Sequence, residues 1–194
     1  MPQLYVVPDK GANAFATGRS PEKAHVAVTA GILEVLNEDE LKAVLAHEIS
    51  HVKNYDIRLM MVVFACITSL NLIIDFFLRS IIFGDDERGG FLSYILISMF
   101  SSIIGFLVQA AVSRQREYAA DLSGVEITNQ PKYLASALSK ISKKGSALSR
   151  ASTSTAHVFI ANPVKNSKLS NLFSTHPPVE ERIKILENLS VNAG

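Results

Sequence analysis

Two long apolar stretches limit what this chain can become. Leu59 to Leu78 reads LMMVVFACITSLNLIIDFFL, 20 residues whose single charge, Asp75, lies near the far end. Phe91 to Val112 follows as 22 residues with no charge at all. About 20 helical residues at 1.5 Å each span the ~30 Å hydrocarbon core of a bilayer. The pattern predicts a transmembrane helical hairpin over residues 59–112, closed by the acidic turn Gly84–Gly90. A long helix pair buried in a soluble core, or an apolar helical arm on a soluble enzyme, is the competing reading. Asp75 stands four residues before Arg79, so the two can pair on one helical face near the interface.

Composition supports the contrast between this middle and its flanks. The 194-residue chain has 19 basic and 18 acidic residues, yet residues 59–112 hold only two and four of them. The flanks are ordinary soluble sequence. With 48% apolar residues the chain is not a disordered one. Its one cysteine, Cys66, excludes a disulfide-stapled module and fits a reducing or membrane setting. A net charge of +1 gives no reason to expect a nucleic-acid partner. Lys53 and Arg58 precede the first stretch, and Arg114 and Arg116 follow the second. The positive-inside rule then places both flanks in the cytoplasm and Asp85–Glu87 outside. Met1–Lys10 lacks the basic start and apolar centre of a signal peptide.

Along the first flank, Gln3–Val7, Asn13–Gly18 and Ala24–Ala30 read as strands, and Gly31–Leu36 as a short helix. Asn37 caps a stronger helix, NEDELKAVLAHEISHV, with Glu40 placed for a capping box. Its apolar stripe is Leu41, Val44, Leu45, Ile49 and Val52. After the hairpin, Ser113–Val125 reads as helix continuing from the second span, Lys132–Lys143 as another, and Val179–Leu189 as the last. Gly145–Asn171 is rich in Ser, Thr, Ala and Asn and reads as a long loop, a lid or linker open to self-cleavage. The division expected is 1–58 as the first half of a catalytic domain, 59–112 as the hairpin, and 113–194 as the second half.

The chemistry centres on His47-Glu48-Ile49-Ser50-His51. Histidines four apart on a helix face the same way and can share one zinc ion. Glu48 is placed to act as general base on a water there without binding the metal. A catalytic zinc wants a third protein ligand and one open position. Asn54, Ile57 and Asn71 occupy the places where several protease classes carry their glycine or third ligand. Glu87 falls on the wrong side of the membrane. Glu117 is next, in Arg114–Asp121 (RQREYAAD), and the hairpin returns the chain to the same side. Asp121, one turn further, can accept a hydrogen bond from the outer nitrogen of a ligand histidine. The alternative for Glu117 and Asp121 is an exposed helix paired with Arg114. His25 and His157 carry no motif and read as structural.

Asn13–Gly18 (NAFATG), Leu45–Asp56 (LAHEISHVKNYD), the two apolar stretches, Ser113–Asp121 and Thr175–Ile183 (THPPVEERI) together resemble the HtpX-like membrane zinc metalloproteases of the CAAX prenyl-protease-like gluzincin family. The resemblance implies an α+β, zincin-like, mainly helical fold with a small N-terminal β-sheet and an inserted transmembrane hairpin. It implies a multi-pass protein of the bacterial inner membrane with a cytoplasmic active site. The activity implied is an endopeptidase acting on misfolded polypeptides or membrane proteins in quality control. His47, His51 and Glu117 are then the ligands of one zinc per chain, and Glu48 the base. His176 faces the substrate carbonyl as a catalytic group, unless it is only a structural or capping residue. Asn13 hydrogen-bonds substrate backbone, unless it merely forms a turn. Arg182 is a salt-bridge partner behind the ligands or a surface residue. Family members usually begin with two further spans before Gln3–Val7, so the resemblance implies a partial chain. Tyr55 stands where glycine is usual. The rival function is a non-catalytic zinc-binding membrane scaffold, closed by His176 as a fourth ligand.

Overall fold

The computed structural model describes residues 2–18, 20–82, 87–144 and 174–192; the side chains of residues 81–90 are not described. The hairpin turn around Asp85, the loop at 145–171 and His157 therefore lie outside the described residues.

Three short strands form the N-terminal sheet: β1 (Gln3–Val7), β2 (Ala14–Thr17) and β3 (His25–Thr29), in the order β1-β3-β2. β3 is central and buried. It runs parallel to β1, with Gln3 opposite His25, and antiparallel to β2, with Ala14 opposite Val28. Both of its neighbours are edges, and β1 exposes Leu4, Tyr5 and Val6. Thr29 ends the strand and caps α1 (Ala30–Leu33), its hydroxyl accepting from Ile32 N–H at 3.3 Å and from Asn13 N–H at 2.9 Å. Gly31 is required here, because a Cβ would lie 2.1 Å from the Lys10 carbonyl oxygen.

α2 (Glu38–Lys53) starts as its sequence indicates. The Asn37 side chain accepts from Glu40 N–H, and the Glu40 carboxylate accepts from Asn37 N–H, both at 2.9 Å. The same carboxylate is buried against α5 (Pro131–Lys144), taking Ser136 Oγ and Lys140 Nζ at 2.7 Å each. The apolar stripe read from the sequence is only half correct. Leu41, Leu45 and Ile49 are half-buried, and the deepest positions are Ala43, Val44, Ala46, His47, Glu48 and Ser50. Small residues let α2 sit deep in the molecule. Val44, Ile32, Leu138, Ile141 and Leu186 fill the core between α2, α5, the sheet and the final helix, α6 (Val179–Asn192).

α3 (Asp56–Ile82) and α4 (Glu87–Thr128) carry the apolar stretches. At 1.5 Å per residue they are about 40 and 63 Å long. Both are long and apolar enough to cross a membrane. Their apolar side chains are exposed rather than packed in a core, with Phe64, Leu72, Phe76 and Phe100 all at 58–68%. The expectation that helix continues past Val112 holds, since α4 runs unbroken to Thr128. The boundary drawn at Val112 therefore falls inside a single helix. The helices meet at Gly105, where a Cβ would come 2.6 Å from Ile67 Cγ2, and through Ser101 Oγ, 2.6 Å from Asn71 Oδ1. Towards the far end Asp75 pairs with Arg79 at 2.9 Å, and both bond Tyr94 of α4.

Candidate metal centre

α2 presents His47 and His51 on one face, one turn apart, and α4 crosses that face. Gly124 allows the crossing: a Cβ there would sit 3.1 Å from both the nitrogen and the Cα of His47. The close approach brings Glu117, a second turn back along α4, up to both imidazoles. His47 Nε2 and His51 Nε2 are 3.2 Å apart, and Glu117 Oε2 and Oε1 lie 3.8 and 3.6 Å from them. One donor atom from each of the three residues lies within 4.8 Å of the others. His47 is 2% exposed and Glu117 5%, so Glu117 is not the exposed, Arg114-paired residue of the alternative reading. Arg114 instead donates to the Ser174 carbonyl at 2.9 Å.

Each histidine has a carboxylate behind it. Asp121 Oδ1 lies 2.9 Å from His47 Nδ1, the contact its spacing suggested. Asp56 Oδ2 lies 2.7 Å from His51 Nδ1. With a carboxylate beside each Nδ1, both Nε2 atoms face the shared space. Two imidazole nitrogens and one carboxylate oxygen, each imidazole backed by an acid, form a donor set that suits a zinc ion.

Arg182 is not a surface residue. It is 1% exposed and forks onto Asp121 at 2.8 and 2.7 Å, with Nη1 3.0 Å from Glu117 Oε2. His176 is buried, with Nδ1 3.0 Å from Glu117 Oε1. Its segment is fixed by the Ser174 hydroxyl, which donates to the His176 carbonyl at 2.8 Å. His176 is absent from the three-residue group of donor atoms. Asn13 sits at the head of β2, fully buried, its backbone tied to Thr29.

Electrostatics follow from burial set against charge. Burial pushes the Glu48 carboxyl above the ordinary glutamate range, against the pull of His47 and His51. Burial acts the same way on Glu117, but the charges of His176 and Arg182 outweigh it and hold that carboxyl well below its usual range. At Asp121 burial is likewise outweighed, by Arg182 and His47. Burial opposes a charge on His51, yet the Asp56 hydrogen bond and the Glu117 and Glu48 charges raise it to about 9.

Four contributors carried no readable pattern. Asp56 lies five residues after His51, an offset that faces away on a straight helix. It meets His51 only because the chain turns at Tyr55, whose φ of +57° is the left-handed conformation that favours glycine. Arg116 bonds Asp56 from α4. Gly124 looks in sequence like any helical glycine.

A helix-borne histidine pair, a buried glutamate beside it and a second buried carboxylate brought from a distant helix define a metalloprotease. The backbone matches the crystal structure of S. mikatae Ste24p with a TM-score of 0.62 over 96% of this chain and 47% of that one. At 19% identity the likeness speaks for the fold alone. In sequence, the profile of Peptidase family M48 matches residues 1–190. A "Protease HtpX homolog" of Tropheryma whipplei (strain Twist) is 47% identical over 194 residues, covering 97% of this chain and 67% of the relative. Another, from Pyrococcus abyssi, is 43% identical, covering 100% and 69%. This chain belongs to peptidase family M48, and spans about two thirds of the length of those relatives.

Proposed function

We propose that the chain is a zinc-dependent membrane endopeptidase that acts on misfolded polypeptides or membrane proteins. The observation that carries the reading is the pair of Nε2 atoms 3.2 Å apart, with an aspartate behind each ring. His47, His51 and Glu117 would hold one zinc, which supplies Lewis acidity towards a carbonyl and acidifies water. Glu48, buried and with its proton affinity raised, takes the proton from the attacking water and returns it to the leaving amine. Asp121 and Asp56 keep the ligand imidazoles in one tautomer and orientation. Arg182 fixes Asp121 and Glu117 together. His176, on its tied segment, donates a hydrogen bond to the developing oxyanion. Asn13 and the free edge of β2 bind substrate backbone in extended form.

Residues 59–112 form the membrane insert between two halves of the protease domain, 1–58 and 113–194. The exposed apolar faces of α3 and α4 support a bilayer-embedded hairpin over a soluble helix pair or arm. The Lys/Arg flanks support a cytoplasmic site in a bacterial inner membrane. One experiment separates enzyme from scaffold: zinc content and peptide hydrolysis of the wild type and Glu48→Gln in detergent. The expected result is one zinc per chain in both and a loss of about 10²–10⁴-fold in hydrolysis for the variant. Zinc-loaded wild type with no hydrolysis above background would leave only the scaffold reading, unchanged hydrolysis in Glu48→Gln would remove Glu48 from the mechanism, and wild type without zinc would end both readings.

A further inference from the structure

The two histidines of the metal centre are braced by different parts of the molecule. Behind His47 stands Asp121, gripped by Arg182, so that side belongs to α4 and α6. Behind His51 stands Asp56, the first residue of α3. Its other oxygen is taken by Arg116, which lies four residues past the apolar stretch of α4. Asp56 and Arg116 are thus the roots of the apolar hairpin, one on each helix.

The joint between α2 and α3 makes this brace sensitive to the hairpin's direction. α2 ends at Lys53, and only Asn54 and Tyr55 separate it from α3. Asn54 N–H closes α2 on the Ser50 carbonyl at 2.9 Å, and its side chain reaches Ser123 of α4 at 3.3 Å. Tyr55 makes the turn and accepts the Leu59 N–H at 2.9 Å, beginning α3. The 2.7 Å bond between His51 and Asp56 spans that joint. A change in the angle between α2 and α3 moves the carboxylate away from the ring. Arg116 holds the angle by tying the base of α3 to α4. Asp56 is buried, so the clasp is screened little by solvent.

We propose that Asp56 and Arg116 are positioning residues that couple the hairpin's placement in the membrane to metal retention: clasped roots hold His51 as a ligand, and parted roots release it. The proposal rests on the reading of His47, His51 and Glu117 as metal ligands. Neither Asp56 nor Arg116 binds the metal itself. Loss of the carboxylate behind a ligand imidazole typically costs about 10–100-fold in metal affinity. Arg116 acts one step further back, through Asp56.

The test measures zinc affinity by chelator competition on the full chain in detergent, for the wild type, Asp56→Asn, Arg116→Gln, Arg116→Lys and Arg79→Gln. Asp56→Asn and Arg116→Gln are expected to weaken zinc by about 10–100-fold, with Arg116→Lys recovering part of the loss. Arg79→Gln, at the far end of the hairpin, is expected to stay within twofold, which separates the clasp from general hairpin damage. In thin against thick phosphatidylcholine bilayers, which tilt spanning helices differently, wild-type affinity should shift while Asp56→Asn stays flat. Should Asp56→Asn fail to fold, Arg116→Gln decides, because it removes the tie to α4 while leaving the Asp56 carboxylate itself unchanged. Wild-type zinc binding with both clasp variants within twofold overturns the coupling alone. Wild type without zinc overturns the metal-centre reading and the clasp with it.

Discussion

Arg182 concentrates the energetics of the site in one side chain. Its guanidinium is buried between Asp121, which it holds in a planar fork, and Glu117, which Nη1 approaches at 3.0 Å. Removing it strands two carboxylates that have no access to water. Arg182→Gln is expected to lose about 3–5 kcal/mol of stability, the usual cost of orphaning a buried charge. Arg182→Lys should recover little, since an ammonium cannot make the two parallel bonds. The midpoint of chemical unfolding in detergent measures both; a Lys variant as stable as wild type would show that the fork is unimportant. In sequence, Arg182 reads as a salt-bridge partner behind the candidate ligands or as a surface residue, and only its burial decides between the two. Glu117 and Asp121 were legible by contrast, because their four-residue spacing is a property of one helix and needs no knowledge of the fold.

Among the elements, α2 shows how a local device serves tertiary structure. Glu40 closes the capping box and anchors α5 through Ser136 and Lys140. Burial pushes its carboxyl up, but Lys140, Ser136 and the Asn37 amide outweigh burial and hold it below the usual range. A carboxyl depressed in the folded state stabilises the protein above its unfolded pKa, ~4.3, and that contribution is lost as pH falls through the folded value. Glu40→Gln should therefore be less stable by about 1–3 kcal/mol at neutral pH, with the gap narrowing in acid. Thermal unfolding of both proteins across that range checks it, and a gap that widens on acidification would refute the assignment. The cap was legible in Asn37 and Glu40; the partners on α5, 96 and 100 residues away, were not. The turn at Tyr55 was legible only in part: glycine is usual at that place, but the residue present gives no hint of where the turn sends Asp56.

For the whole molecule, the two long apolar helices decide where the residues before Asp56 and after Val112 meet. Cys66 lies ten residues into α3, or about 15 Å along its axis, near the middle of the proposed span. In sealed inner-membrane vesicles it should resist a water-soluble maleimide. Lys53→Cys, made in a Cys66→Ala background, should react from the cytoplasmic face alone. Equal labelling of the two positions would place the hairpin outside the bilayer. The exposed apolar faces of α3 and α4 and the acidic pair behind the histidines then belong to one design. The two long apolar helices also supply Glu117, Asp121 and Asp56 to the site.

What the sequence determined alone is what depends on near neighbours along the chain. The capped α2, the histidine pair four residues apart, the Glu117–Asp121 spacing and two helices of membrane length all follow from helical periodicity and charge-free length. What only the tertiary structure decided is which distant groups converge. Asp56 folds back onto His51 across a left-handed joint, Gly124 admits α2 against α4, and Arg182 comes from the far end of the chain to hold two acids. Such convergence depends on packing distance and direction, and neither is encoded in the spacing of residues along the chain.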